Sequence, residues 1–242
     1  MNRRDHIRAA FSAAADGYEQ AATAQDWAAE QILSFLPPPA AAFRGLEIGC
    51  GTGLLTRRLL AYCPADWTIT DLSPHMLDKA RCCGPATYAC LDGERDPLPH
   101  PPYDLIVSNL AFQWFDDLPT AIQHLRAALR PGGQLIFSTM GQNSFAEWRT
   151  AHQQLGLQSG LMTYPDAETL RQAVPGAEID EAVFPLHFDY AGHFARSLKQ
   201  LGATVPQPGH VPLGPGQMRR LIQAAPRPFQ TSYHLLFVRL GA

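Results

Sequence analysis

From Arg44 onward, short apolar runs alternate with amphipathic stretches, the pattern of parallel βαβ units. The runs predict strands at 44–48, 67–71, 86–90, 103–108 and 134–140, with helices at 53–62, 74–82 and 117–129 between them. In the last helix Leu118, Ile122, Leu125 and Leu129 share a face, and Pro131-Gly132-Gly133 is expected to end it. Two Ala-rich helices, 5–15 and 17–36, precede the first strand; they join near Asp16-Gly17, and Pro37-Pro38-Pro39 stops the second. Beyond the fifth strand, 141–175 reads as helical with loops, and 190–202 and 215–224 as helices framing a Pro/Gly-rich loop at 205–216. Apolar residues at 179–188 and 229–240 predict two last strands that pair as an antiparallel edge. The fold class is α/β, a single domain of 242 residues with no internal repeat.

Composition bounds this picture. Hydrophobic residues make up 46% of the chain and charged residues 17%, enough for a substantial core and without a signature of disorder. The N-terminus, Met1-Asn2-Arg3-Arg4-Asp5-His6-Ile7-Arg8, is charged, and no run approaches the ~18 apolar residues of a membrane span. A cytoplasmic protein with no membrane partner is expected. Cys50, Cys63, Cys82, Cys83 and Cys90 form no C-x-x-C pair and stand near no His cluster, so no metal site is expected. Cys50, inside a glycine loop, has no base near it in sequence and reads as a small turn residue.

Charge is unevenly spread. Residues 190–242 carry Arg196, Lys199, Arg219, Arg220, Arg227 and Arg239 with no Asp or Glu, a net +6, while residues 1–189 have 13 basic against 22 acidic side chains, a net −9. A solvated face explains the basic stretch as it stands; a surface for an acidic partner is the functional alternative. Six charges broken by prolines and glycines make a poor nucleic-acid tract, so no nucleic-acid partner is expected.

The candidate chemistry lies at the strand ends. Gly49-Cys50-Gly51-Thr52-Gly53 runs from a strand into a helix; its glycines permit positive φ and close approach of a ligand, and the helix beyond offers unpaired N–H groups. The spacing is G-x-G-x-G and differs from the G-x-G-x-x-G of dinucleotide enzymes. The next strand ends in Asp71, 18 residues after Gly53, where a carboxylate can accept both hydrogen bonds of a ribose diol. Ser73 fits the N-cap of the helix from Pro74 better than Asp71 does. Glu47 suits the cationic end of a cofactor, directly or by holding a glycine-loop amide. Asp92, after the third strand, is placed to accept from an adenine amino group, and Asn109, closing the fourth, lies near a reacting group; each is also compatible with an ordinary turn. Leu72 completes the candidate cofactor-binding set.

These segments carry a resemblance. Leu46-Glu47-Ile48-Gly49-Cys50-Gly51-Thr52-Gly53 with Thr70-Asp71-Leu72-Ser73-Pro74-His75-Met76-Leu77 resembles the class I methyltransferase pattern. Ala10-Phe11-Ser12-Ala13-Ala14-Ala15-Asp16-Gly17-Tyr18-Glu19, Ser108-Asn109-Leu110-Ala111-Phe112-Gln113-Trp114, Phe137-Ser138-Thr139, Arg196 to Thr204 and Thr231 to Phe237 are similar to the malonyl-[acyl-carrier-protein] O-methyltransferase family of biotin synthesis. The resemblance covers nearly the whole chain. It implies S-adenosyl-L-methionine as cofactor, malonyl-loaded acyl carrier protein as partner, and methylation of the free malonyl carboxylate to an ester. It also implies a Rossmann-like class I methyltransferase fold, with a seven-stranded, mostly parallel sheet whose last strand is antiparallel. The expected parts are N-terminal cap helices (1–43), a cofactor-binding core (44–140), an inserted helical lid and substrate region with the sixth strand (141–228), and the last strand (229–242). Two departures stand out: Leu91 replaces a glycine that usually precedes the acidic residue, and the loop after Ala203-Thr204 is proline-rich where charges are common.

Methyl transfer to a carboxylate needs no general base, because a malonyl carboxylate, with a pKa near ~4, is already ionised at neutral pH. The absence of a Ser-His-Asp, Cys-His or metal constellation agrees with this. Arg196, Lys199, Tyr233 and Trp114 are the candidates to position the acceptor, and Tyr18 the candidate to close on the cofactor carboxylate. Arg219-Arg220 and Lys199 are candidates for steering an acidic carrier protein. The alternatives are a methyltransferase of a free small dicarboxylate such as aconitate, a hydroxyl methyltransferase with a base not apparent in the sequence, and a binding protein that has lost turnover.

Overall fold

The computed structural model describes residues 2–38, 43–63 and 66–242. Met1 and Pro39, which the readings above include, lie outside them. Helix α1 (Arg3–Ala14) starts on a capping box, in which Asn2 accepts from the Asp5 amide while Asp5 accepts from the Asn2 amide. The expected helix 17–36 is broken. A 3-10 turn spans Tyr18–Gln20, and α2 (Thr23–Leu33) follows. It ends before the prolines because the Ser34 hydroxyl donates to the Gln31 carbonyl in the last turn.

The chain then lays down β1 (Arg44–Ile48), α3 (Thr56–Tyr62), β2 (Asp66–Asp71), α4 (Pro74–Ala80), β3 (Thr87–Cys90), β4 (Tyr103–Asn109), α5 (Leu118–Ala127) and β5 (Leu129–Met140). After these come α6 (Ala146–Gln154), α7 (Ala167–Ala173), β6 (Glu178–Phe188), α8 (Ala191–Gln200), α9 (Pro215–Ala224) and β7 (Phe229–Gly241). Ser73 caps α4 by accepting from the Met76 amide, as its sequence position suggests. α5 ends at Ala127, short of Pro131-Gly132-Gly133; that tripeptide is a bend inside β5, at the point where its pairing with β4 shifts register between Tyr103 and Leu105.

Among the described residues seven strands form one sheet in the order β3-β2-β1-β4-β5-β7-β6. β1 pairs in parallel with β2 and β4, β2 with β3, and β4 with β5; β7 runs antiparallel to both β5 and β6. The class I methyltransferase arrangement expected above is therefore present, with β7 inserted between β5 and the edge strand β6.

Both sheet faces are covered, which is why β1 and β4 are buried along nearly their whole length. Leu105, Val107 and Ile136 face α2 and α3 with Ala28, Ala29, Ile32 and Leu59, while Leu46, Ile48, Ile106 and Phe137 face the other way onto Ile122 and Leu125. Strand alternation thus sends Glu47 to the α2/α3 side. The order reverses between β1 and β4, and a crevice opens there at the strands' C-terminal ends. Among the described residues no helix is long and apolar enough to cross a membrane, and no group of three His, Cys, Asp or Glu side chains is placed to hold a metal ion.

Candidate functional site

Leaving β1, the chain enters the crevice through Gly49 and Gly53, at φ of +71° and +98°. A side chain on Gly49 would collide with the Ala111 methyl and one on Gly53 with the Cys83 thiol, so both positions demand glycine twice over. The positive φ of Gly53 also delays α3, which starts at Thr56 and not at 53 as expected. The loop is pinned from below: Cys50 N donates to the Thr70 carbonyl (2.9 Å), and Gly51 N to Asp71 Oδ2 (2.8 Å). Ser73 N donates to Asp71 Oδ1 (2.7 Å). Each Asp71 oxygen keeps a free lone pair toward the crevice. Burial outweighs these two amides and raises the Asp71 carboxyl to about 6.

Of the two roles expected for Glu47, holding a glycine-loop amide is not the one it takes. The glycine-loop amide belongs to Asp71, while Glu47 Oε2 accepts from the Thr56 hydroxyl at 2.7 Å, because strand alternation turns Glu47 toward the first turn of α3. Glu47 is 1% exposed, and burial, partly offset by the Thr56 bond and reinforced by Asp71, pushes its carboxyl up to about 8.

Around these groups lies a cavity of about 840 Å³ whose lining includes Tyr18, Glu47, Gly49, Gly51, Asp71, Leu72, Asp92, Asn109 and Trp114. Gly53 shapes the loop from behind. Asn109 is engaged on both ends: its amide donates to the Gln25 carbonyl (2.9 Å) and its oxygen accepts from the Ser138 hydroxyl (2.8 Å), so it ties α2 to the sheet. Asp92 Oδ1 accepts from the Glu94 amide, and Oδ2 pairs with Arg4 Nε at 3.3 Å. Arg4 was not anticipated. It is buried against the same cavity, between Asp92, Glu94 and Asp116, and Glu94 Oε1 in turn accepts from the Asp116 and Asp117 amides. α1 is thereby fastened over the crevice. The 3-10 turn is fastened beside it, Glu19 accepting from Thr52 (2.9 Å) and Arg57 (2.6 Å). The cradle without Cβ atoms, the acidic Glu47 and the free lone pairs of Asp71 fit a nucleoside cofactor with a cationic end.

A second cavity, of about 1300 Å³, adjoins the first; Phe11, Tyr18, Gln25, Leu110 and Trp114 line both. Trp114 is held edge-on by Phe11, ring centroids 5.3 Å apart. The polar groups deeper in the second cavity include Tyr233, Tyr164, His152 and His210, and its described lining holds no Asp, Glu, Lys or Arg. Tyr233 packs against Phe145 at 4.7 Å, its hydroxyl takes a long bond from Gln25 Nε2 (3.4 Å), and burial pushes it up to about 12. Burial likewise raises the Tyr18 and Tyr164 hydroxyls well above the usual phenol range.

Arg196 and Lys199 stand elsewhere. Phe194, Leu198 and Leu201 share one face of α8 and turn inward; at about 100° per residue Arg196 and Lys199 fall off that face. Arg196 lines a third hollow that shares Tyr233 and Leu201 with the second, and it bonds the Tyr190 hydroxyl at 2.8 Å. Lys199 is exposed and lines none of the three. Of the four proposed acceptor-positioning residues, only Tyr233 and Trp114 line the second cavity, and Arg196 meets Tyr233 at the third hollow.

Comparison with known proteins places this geometry. Residues 46–137 match a family model described as a methyltransferase domain. The chain is 34% identical to the malonyl-[acyl-carrier protein] O-methyltransferase of Magnetococcus marinus over 251 aligned residues, covering 98% of this chain and 92% of that protein. It is 43% identical to the biotin biosynthesis bifunctional protein BioCD of Bordetella avium over 88% of its own length, and it spans 47% of that longer protein. Among solved structures, phosphoethanolamine N-methyltransferase 2 of Haemonchus contortus, in complex with S-adenosyl-L-methionine, shares the fold: TM-score 0.60 at 17% identity, over 99% of this chain and 59% of that one.

Proposed function

The chain belongs to the malonyl-[acyl-carrier protein] O-methyltransferase family, and on that premise we propose how its residues carry a methyl group from S-adenosylmethionine to the free carboxylate of a malonyl thioester on acyl carrier protein. The observation that carries the reading is the meeting of two cavities of different chemistry at Tyr18, Gln25 and Trp114: one with the carboxyl groups of Glu47, Asp71 and Asp92 in its wall, the other with no Asp, Glu, Lys or Arg in its described lining.

In this reading Gly49, Gly51 and Gly53 shape the backbone cradle, Asp71 accepts from the ribose diol, and Leu72 and Asp92 border the adenine. Glu47 and Tyr18 face the amino-acid end, and Asn109 holds α2 in place beside them. When bound, the cofactor supplies an electrophilic methyl on a sulfonium. The protein aligns an already ionised carboxylate with it and keeps water out; no group has to take up a proton. α1 and the 3-10 turn, fastened by Arg4 and Glu19, act as the cover.

Carrier-protein docking is proposed on the outer face of α9 and α8. Arg219, Arg220 and Lys199 are exposed there, while Met218 lines the second cavity and Leu221 is buried beneath. Reversing Arg219 and Arg220 to Glu should raise KM for the carrier substrate several-fold at low salt, roughly one decade at most for rim charges, and leave KM for malonyl-coenzyme A unchanged. An unchanged carrier KM at low salt ends the docking proposal.

The reaction itself is tested by methyl transfer from labelled S-adenosylmethionine to malonyl-carrier protein, with malonyl-coenzyme A, malonate and aconitate in parallel. Strong labelling of the carrier substrate, lost when its carboxylate is removed, supports the assignment. Labelling of a free acid alone would move the enzyme to small dicarboxylates.

A further inference from the structure

We propose that the acceptor carboxylate is gripped by neutral hydrogen-bond donors, the Gln25 amide with the Tyr233 and Tyr164 hydroxyls, with no arginine or lysine paired to it, so that the cofactor's own cation serves as its counter-charge. This rests on the methyl-transfer reading above and replaces the cationic clamp that the sequence suggested.

The placement of charges leads to it. Among the described residues lining the second cavity there is no Lys or Arg: Arg196 bonds the Tyr190 hydroxyl, Arg3 bonds the Trp114 carbonyl and Asp116, and Arg149, whose buried Nε has no partner, donates to the Met162 carbonyl at 2.9 Å with its guanidinium 5.8 Å from the Tyr164 ring centroid. Gln25 sits where the cavities join. Its Nε2 makes only the long 3.4 Å bond to Tyr233, which leaves an N–H for an acceptor, while its buried Oε1 has no partner and calls for a donor. An amide left so incompletely satisfied in a buried junction is suited to a ligand. Tyr233, 4% exposed, meets it directly, Tyr164, 9% exposed, lines the same cavity, and burial keeps both hydroxyls protonated and able to donate.

The reaction gives such a grip a purpose. A carboxylate oxygen forms the O–CH3 bond as the methyl–sulfur bond breaks; the electron pair stays on sulfur, no proton moves, and a cation and an anion become two neutral products. An arginine paired with the acceptor would stabilise the charge that the transition state is losing, and so would favour the ground state. Neutral donors orient the oxygen without that penalty, and a dry cavity strengthens the attraction between carboxylate and sulfonium. The same arrangement releases product, because the ester and the thioether no longer attract each other.

Order of binding follows, and it can be read without turnover or mutation. Malonyl-coenzyme A, titrated calorimetrically, should bind the wild-type enzyme at least ~10-fold more tightly with sinefungin, whose amine is cationic at neutral pH, than with neutral S-adenosylhomocysteine. In turnover, Tyr233→Phe and Gln25→Leu should each lower kcat/KM by roughly 10-fold or more, the scale of a hydrogen bond to a charged group, with sinefungin affinity kept within about 2-fold. Equal affinity with the two analogues, or a larger loss from Arg196→Gln or Arg149→Gln than from Tyr233→Phe, would overturn the proposal. If wild-type enzyme labels only a free acid, the substrate assignment fails and the same comparisons are made with that acid. If it labels no carboxylic acid, the reading beneath the proposal fails and the proposal with it.

Discussion

The floor of the first cavity, Glu47 to Thr52 with Asp71 and Leu72, comes from two short stretches held in place by backbone amides, while Tyr18, Asp92, Asn109 and Trp114 reach its walls from elsewhere in the chain. The second cavity gathers Gln25, Tyr164 and Tyr233 from segments far apart; Gln25 and Tyr233 touch across 208 residues. The first holds Glu47, Asp71 and Asp92 with Arg4, and the described lining of the second holds no Asp, Glu, Lys or Arg. A cofactor that is the same in every turnover can be met by contiguous backbone with its ligands close in sequence. An acceptor is met by side chains that the completed fold brings together.

Arg4 is the exception that tests this contrast most severely, since it is a cation supplied to the acidic cavity by a remote segment. Replacing it with Gln leaves Asp92 and Glu94 without their buried counter-charge, a loss of about 3–5 kcal/mol for a broken buried pair. The cost should fall on the docking of α1. Amide exchange across Arg3–Ala14 should accelerate by two or more decades while β1 and β4 keep their protection, and S-adenosylmethionine should dissociate faster. Unchanged exchange in α1 would show that apolar packing holds the cover and that the ion cluster is incidental.

Asp71 probes the local plan. In Asp71→Asn one carboxylate oxygen becomes an NH2 facing a backbone N–H, of either Gly51 or Ser73, so a hydrogen bond is replaced by two opposed donors. The expected loss is about 1.5–3 kcal/mol in cofactor affinity, or roughly 10- to 100-fold in Kd by titration, with carrier-protein binding unaffected. A similar loss in carrier binding would mean that the two sites are less independent than their construction suggests.

The same contrast explains what could be read in the sequence. The glycine loop, Asp71 and the Ser73 cap were legible because each depends on a residue type at a fixed short spacing, and the parallel sheet because both faces of its strands are apolar. The break in the second helix was not, because Tyr18 leaves the helical path to line the cavities and nothing local requires it. Arg4, next to Arg3 at a helix start, looks like a solvated end until Glu94 is folded against it. That Arg196 and Lys199 lie outside the second cavity was legible in the helical phase set by Phe194, Leu198 and Leu201, which their charge overshadowed. Gln25 left one signal: it shares the i, i+4, i+7 stripe of α2 with buried Ala29 and Ile32, and a polar residue on a buried stripe needs a reason.

Glu47 offers the smallest effect and the one whose sign is most informative. Its carboxyl stands at about 8 in the folded protein against an ordinary 4.5, so between those values the folded state binds more protons than the unfolded one. Its contribution therefore lowers stability progressively as pH rises from about 4.5 to 8, and Asp71, raised to about 6, adds the same trend over a narrower range. Glu47→Gln keeps an acceptor for Thr56 and removes the titration. The variant without cofactor should melt a few degrees above wild type at pH 8, the equivalent of about 1–2 kcal/mol, with the gap closing toward pH 5. Cofactor binding should move the other way. A sulfonium favours the ionised carboxylate, so wild-type affinity for S-adenosylmethionine should rise with pH between 7 and 8, with proton release in calorimetry, while affinity for neutral S-adenosylhomocysteine rises less. In Glu47→Gln both slopes should flatten. A wild-type affinity independent of pH across that interval would mean that Glu47 stays protonated in the complex and serves the first cavity only through Thr56.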